Sequence, residues 1–371
     1  MPELVIVGGG FAGLWSAAAA ANVRGAGDLR ITLVAPDDDM VLRPRLHRLD
    51  PGWSRVPLKR FLDPIDVGHL RARVTGIDTA TRQIHLDDRS IAYDRLVLAA
   101  GSHLVRAEIP GAEHLFDIDT VDGAARLADH LRGLQTFTAV VIGSGFTGLE
   151  IATELADRGQ VVLIERAATV APDLGPGPRP VIEAALTELG IDVRLDATVA
   201  SVHADGVTLA DGRTVTAQVV IWTAGMQASP LTAHIPAERD ALGRLKVDSR
   251  LRAHHDVFAA GDVAAAPADL DHHTIQSCQF ATPMGKAAGH NAAADLLGLP
   301  LVDFAPDPYV TCLDLGAAGA VFTTGWHREV QLTGSQGKDL KNTILDVIHP
   351  PLDDAHEILR QAARQSNGVS G

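Results

Sequence analysis

Short, unbroken apolar runs recur along the chain, each ended by glycine and followed by a helix-like stretch. Leu4-Val-Ile-Val7 shows no polar alternation, the pattern of a strand covered on both faces. Gly8-Gly-Gly10-Phe11-Ala12-Gly13 and the alanine-rich stretch 14–22 come next, and Arg30-Ile-Thr-Leu-Val34 reads as a second strand. The order strand, glycine turn, helix, strand returns at 139–142, Gly143-Ser-Gly145-Phe146-Thr-Gly148, 149–158 and 160–164. Three more apolar runs end in small residues: Tyr93-Asp-Arg-Leu-Val-Leu-Ala-Ala100-Gly101, Val219-Val-Ile-Trp-Thr-Ala-Gly225 and Asp256-Val-Phe-Ala-Ala-Gly261-Asp262. Residues 72–89 and 199–213 alternate polar and apolar positions around turn residues, as small hairpins do. Their recurrence at matching places argues that a whole unit is duplicated, beyond the glycine turn alone.

A GxGxxG turn between strand and helix suits a bound pyrophosphate. Its first glycine permits the tight turn, the second lets backbone approach the phosphates, and the third lets the helix pack close to the strand. The helix start then offers free N–H groups to phosphate oxygens. Gly8, Gly10, Phe11, Ala12 and Gly13 are therefore expected to form one cradle, and Gly143, Gly145, Phe146 and Gly148 another. Glu165 follows Gly143 by 22 residues and ends a strand, where a carboxylate accepts both hydroxyls of an adenosine ribose. The first unit has Ala35 at that position, and Asp37, Asp38 and Asp39 just beyond it form either a loop substitute or a solvated turn. Asp262 follows a buried strand and a small residue, so it can accept a bond from a polyol chain, cap a helix over 263–266, or both. The fold class read from this pattern is α/β, with two Rossmann-like dinucleotide-binding domains and a small C-terminal domain.

Composition narrows the partners. With 371 residues, 46% hydrophobic and 21% charged, the chain is an ordinary globular one rather than a disordered one. A net charge of −14 without a basic run makes the chain a poor candidate for binding nucleic acid or anionic lipid. Two cysteines, Cys278 and Cys312, and no CxxC make no disulfide framework. No secretory signal or bilayer-length apolar run is present, so a cytoplasmic protein is expected.

With these landmarks in order, residues 4–300 resemble the two-dinucleotide-binding-domain flavoproteins, the group of pyridine nucleotide-disulfide reductases, ferredoxin reductases, sulfide:quinone reductases and type II NADH dehydrogenases. The resemblance implies that the first glycine turn, Ala100-Gly101 and Gly261-Asp262 bind FAD, with Arg43 and Val74 among its contacts. The second turn, Glu165 and Gly225 would bind NADH, with NADPH disfavoured by the Glu165 carboxylate despite neighbouring Arg166. It implies a discontinuous FAD domain (1–105 plus 236–305), an inserted NAD(P)H domain (106–235) and a C-terminal interface domain (306–371) able to make a homodimer. The helix after the first turn lacks the disulfide-reductase cysteines. Gly145-Phe-Thr-Gly-Leu-Glu150 and Leu42-Arg-Pro44 are instead similar to the type II NADH dehydrogenase branch. Two departures stand out. That branch's Ala-Gln-x-Ala-x-Gln run reads Cys278-Gln279-Phe-Ala-Thr-Pro283 here, and residues 350–364 offer no large apolar face for a membrane.

The expected chemistry is hydride passage from NADH to flavin N5 and then electron passage to a quinone-like or other small acceptor. The alternatives are reduction of a ferredoxin- or rubredoxin-type carrier, or redox sensing. Glu150 is either a proton relay or a charge at a favourable helix start, and Gln279 either a contact near the flavin pyrimidine edge or acceptor, as the resemblance implies, or a bystander. Lys286 is expected at the surface. Cys278 and Cys312 form a redox pair or, more commonly, buried inert thiols. Adjacent histidines at 254–255 and 272–273 chelate poorly, so no metal is expected. Arg43, Arg45 and Arg48 cap an anion or are exposed loop charges.

Overall fold

A computed structural model describes residues 1–363. The fraying expected of residues 365–371 falls outside the described residues. Two sheets organise the chain. The first has six strands in the order Arg252–His254, Val257–Ala259, Arg95–Leu98, Glu3–Val7, Arg30–Ala35 and Gly68–Arg71, all parallel except the first. Its central strands are nearly continuous in Val, Ile and Leu because both faces are covered, and Leu4, Val5 and Ile6 are completely buried. One cover is a pair of helices, Phe11–Arg24 and Cys278–Leu297, which cross almost backbone to backbone. A Cβ on Gly285 would lie 2.3 Å from the Ala12 carbonyl oxygen, and one on Gly289 would lie 2.1 Å from that of Ser16. The Ser16 hydroxyl donates to the Gly285 carbonyl at 3.0 Å and fixes the crossing.

The second sheet is wholly parallel, in the order Asp192–Arg194, Gln160–Ile164, Thr138–Ile142 and Val219–Trp222. Alternation along its strands sorts two cores. Ala139, Val141, Val161 and Leu163 face the helices, while Val140, Ile142, Val162 and Ile164 face the three-stranded antiparallel sheet Val199–His203, Gly206–Leu209 and Thr214–Thr216. Its counterpart beside the first sheet is Val74–Asp78, Gln83–Leu86 and Ser90–Ala92, so both expected hairpins form and each gains a third strand.

Chain passes between the two sheets twice, and the two passages pair. Ser102–Leu104 runs antiparallel to Met226–Ala228, with Ser102 opposite Ala228 and Leu104 opposite Met226. The Gly225 carbonyl receives the Val105 N–H at 2.7 Å, and the Gly101 carbonyl receives that of Ser229 at 2.9 Å.

Beyond residue 305, the strands Val310–Asp314 and Ala320–Thr324 lie where glycine-punctuated apolar runs predict them, and Glu329–Leu332 extends the antiparallel sheet. Helices Gly334–Val347 and Ala355–Ala362 follow. Leu313, Leu315 and Val321 join the second lobe's core, whereas Tyr309, Ile358 and Ala362 join the first. The C-terminal segment therefore belongs to both. No helix among the described residues is long and apolar enough to cross a membrane.

Candidate functional site

The two glycine turns are built alike. Each follows the first strand of its sheet and opens a helix, Phe11–Arg24 or Phe146–Leu155. Gly8 and Gly143 have φ of +122° and +105°, in the region that favours glycine. At the third glycine of each turn a side chain would strike the first glycine's carbonyl oxygen, at 1.8 Å for Gly13 and 2.0 Å for Gly148. The middle glycines, Gly10 and Gly145, face open space, and neither helix start is capped by a side chain or carries an acid in its first turn. Both turns thus leave helix N–H groups available to an anion, the requirement of a dinucleotide pyrophosphate. Phe11, Ala12 and Phe146 sit at these helix starts.

Glu165 ends its strand beside the second turn and is buried. Its Oε2 accepts from the Ser144 N–H at 2.9 Å and hydroxyl at 2.7 Å, and Oε1 accepts from the Ala167 N–H at 2.9 Å. Burial works against the charge, but these bonds outweigh it and hold the carboxyl below its usual range. A carboxylate has about four lone-pair positions and three are taken, so about one remains for a ribose hydroxyl. Arg166 next to it is exposed. In the first unit Ala35 is buried, while Asp38 pairs with Arg71 at 2.8 Å and Asp39 with Arg55 at 3.5 Å.

Where the chain crosses between lobes, Asp262 accepts from the Ser102 hydroxyl at 2.6 Å, and Arg43 lies 3.8 Å from the same carboxylate. Arg43 also donates to Ser102 Oγ at 3.0 Å and to Asp119, so one guanidinium ties both lobes. Residues 264–265 are a short strand paired with Leu245–Lys246, and no helix forms over 263–266 for Asp262 to cap. Gln279 sits in the first turn of its helix, donating to the Pro308 carbonyl at 2.9 Å and accepting from the Val310 N–H at 3.3 Å. Val74 begins the first hairpin, opposite Leu86 and half-buried.

Sequence spacing gave no sign of the arrangement around Glu150. Glu150 projects from helix Phe146–Leu155 into a buried set of charges drawn from four segments. Lys341 of helix Gly334–Val347 donates to Glu150 Oε1 at 2.6 Å and to the Cys312 carbonyl at 3.0 Å, and the Asp314 N–H reaches the same Oε1 at 3.2 Å. His47 lies with Nδ1 3.6 Å from Glu150 Oε2 and Nε2 3.4 Å from Asp314 Oδ2. Asp314 also accepts from Arg48 at 2.7 Å and Lys338 at 2.5 Å. Burial opposes its charge, yet His47, Lys338 and Arg48 together hold its carboxyl well below the usual range. For Lys341 burial again opposes the charge, and Glu150 overcomes it and raises the ammonium's pKa. The one signal in the sequence is rarity. Of five lysines, Lys286 and Lys341 are buried and Lys338 is ion-paired, in a chain that otherwise uses arginine.

Two expectations need correction. Lys286 is buried rather than at the surface, because its helix is lined by alanine and glycine and packs on several sides; its ammonium Nζ lies 4.6 Å from the Trp15 ring centroid, over the face of the ring. Arg45 and Arg48 are not exposed loop charges. Arg45 is buried, stacks on Trp53 at 4.3 Å and donates to the Leu345 carbonyl at 2.8 Å, closing the end of helix Gly334–Val347. Cys278 and Cys312 are free thiols, each pushed up to about 11 by burial, which disfavours a nucleophilic thiolate. His272 pairs with Asp269 and stacks on Trp326, and His255 pairs with Asp256. Among the described residues no three His, Cys, Asp or Glu side chains converge as a metal site.

Residues 2–285 match the family described as pyridine nucleotide-disulphide oxidoreductase. An NADH dehydrogenase-like protein of Mycobacterium tuberculosis is 43% identical over 394 aligned positions, covering 98% of each chain. A demethylphylloquinone reductase of Synechocystis is 28% identical, covering 87% of this chain and 86% of that one. Among solved structures, NDH2 from Plasmodium falciparum in complex with NADH superposes with a TM-score of 0.77 at 14% identity, over 92% of this chain and 94% of that one. That likeness shows the fold.

Proposed function

The chain belongs to the pyridine nucleotide-disulphide oxidoreductase family and is an NAD(P)H oxidoreductase, and on that premise we propose that it is an FAD-dependent enzyme passing electrons from NADH to a quinone-like or other small acceptor. The observation that carries this reading is the duplicated turn: two open, uncapped helix starts, each on the carboxyl end of a parallel sheet. When bound, the flavin supplies the two-electron chemistry between nicotinamide and acceptor.

On this reading Gly8, Gly10, Phe11, Ala12 and Gly13 hold the FAD pyrophosphate, with Ala100, Gly101, Gly261 and Asp262 along the rest of the cofactor and Val74 at its margin. Gly143, Gly145, Phe146, Gly148 and Gly225 hold the nicotinamide nucleotide, and Glu165 takes a ribose hydroxyl, favouring NADH over NADPH. Arg43 fixes Asp262 and Ser102 in place. Glu150 supplies a proton near the reacting centre, and Gln279 lies near the flavin pyrimidine edge or the acceptor. The division into an FAD domain of 1–105 plus 236–305, an NAD(P)H domain of 106–235 and an interface domain of 306–371 belongs to the same proposal, as do homodimerisation and a cytoplasmic setting. The relatives' names support the acceptor class, since a demethylphylloquinone reductase acts on a quinone.

Anaerobic titration of the purified, FAD-loaded protein with NADH and NADPH, followed by a panel of oxidants, tests the reading. NADH should bleach the flavin absorbance, and a soluble quinone should restore it. Protein that takes up no flavin, or flavin that neither nucleotide reduces, would refute it.

A further inference from the structure

We propose that His47 is a positioning residue that loads Glu150 with the second proton of acceptor reduction. This rests on the reading above, in which Glu150 serves proton transfer. Overall, NADH, one proton and a quinone give NAD and a quinol; hydride carries one of the quinol's two hydrogens, and the other comes as a proton through the protein. Glu150 is 6% exposed, so bulk water does not refill it directly.

The two Glu150 oxygens are unequal. Oε1 is occupied by Lys341 and the Asp314 N–H, whereas Oε2 faces His47 Nδ1 at 3.6 Å. The ring's other nitrogen lies 3.4 Å from Asp314 Oδ2, buried and without a hydrogen-bond partner. A neutral imidazole has one N–H, so between two carboxylates it serves one and turns a lone pair to the other; with two protons it serves both. The ring is held between them and locked to neither. Its N–H bond breaks as an O–H bond forms on Glu150, and water reloads the ring after turnover. Asp314 is the fixed anchor, kept ionised by Lys338 and Arg48.

The surrounding charges leave this proton as the variable one. Glu150 and Glu154 face the site from one helix, Asp314 from the C-terminal sheet, Lys338 and Lys341 from the helix after it, and Arg48 from His47's own turn, with the Cys312 thiol uncharged. Three anions balance three cations, so protonated His47 is the single excess charge. Lys338 and Arg48 are 20% and 22% exposed and mark the side from which water reaches the cluster.

Stopped-flow kinetics of His47→Gln separates the steps. Flavin reduction by NADH should stay within about twofold of wild type, while reoxidation by a soluble quinone slows by roughly 10²-fold, the scale of a lost proton-transfer group. Wild-type reoxidation should depend on pH, and the variant's should not. Independently of turnover, the ring ¹⁵N signal missing in His47→Gln should shift in Glu150→Gln. Unchanged reoxidation and pH profile in His47→Gln overturn the proposal. Should that variant fail to hold flavin, a wild-type reoxidation rate independent of pH overturns it instead. Failure of NADH to bleach the wild-type flavin is a different result, and removes the proposed function itself.

Discussion

Replacing Lys341 by methionine keeps most of the side chain's length and removes its charge. At 2.6 Å and an effective dielectric of about 20, the attraction to Glu150 is roughly 6 kcal/mol, and desolvating the two ions costs about as much. The intact pair therefore contributes little net stability, but removing one partner strands a carboxylate that is 6% exposed. Breaking a buried pair this way costs about 3–5 kcal/mol. The lower end is expected, because the Asp314 N–H still donates to Glu150 and His47 stands nearby. Joining Glu150→Met to Lys341→Met should recover stability to within about 1 kcal/mol of wild type or above it. Urea denaturation followed by tryptophan fluorescence measures both, at matched slopes. The Lys341 pKa is raised in the folded protein, so its contribution is complete below the unfolded value of about 10.5 and fades as pH rises through the folded one. The single variant's deficit should thus be constant from pH 6 to 9 and shrink only in strong alkali. A loss under about 1 kcal/mol, or no recovery in the double variant, would refute this reasoning.

Gly289→Ala places a Cβ 2.1 Å from the Ser16 carbonyl oxygen, so the two crossing helices must part. A cost of about 1–3 kcal/mol, read as a lowered Tm, is expected, and an unchanged Tm would show the crossing to be loose. Asp314→Asn should destabilise at neutral pH. Because the carboxyl's pKa is depressed in the folded state, its contribution is present above the unfolded value of about 3.8 and is lost as pH falls through the folded one, so the two proteins' denaturation midpoints should converge in strong acid. Glu165→Gln should raise the KM for NADH about tenfold, one lost charged hydrogen bond, while narrowing its advantage over NADPH; steady-state kinetics with both nucleotides decides.

The sheets and turns were readable because their signals are local. Four apolar residues, three glycines at fixed spacing and a helix carry their meaning within about twenty positions. The charged cluster was not, because His47, Glu150, Asp314 and Lys341 come from segments whose separations encode nothing until the fold is made. Glu150 could be singled out, but its partners could not. Lys286 misled for a related reason: a lysine normally marks a solvated face, and only the fold brings the Trp15 ring under its ammonium. Helix Gly334–Val347 was missed because its apolar positions are few; it is held by Lys341 and by Arg45 at its end rather than by a hydrophobic stripe.

The outgoing and returning strands at Ser102–Leu104 and Met226–Ala228 lie side by side, so the chain between them leaves and rejoins the first sheet at neighbouring points about 5 Å apart. A single tether would let the lobes swivel freely, whereas a two-ply ribbon bends across its flat side and resists torsion. Any opening of the cleft should therefore resemble a door on a strip of leather. The same adjacency lets the chain leave and rejoin the first sheet without stretching it, while the C-terminal segment packs on both lobes.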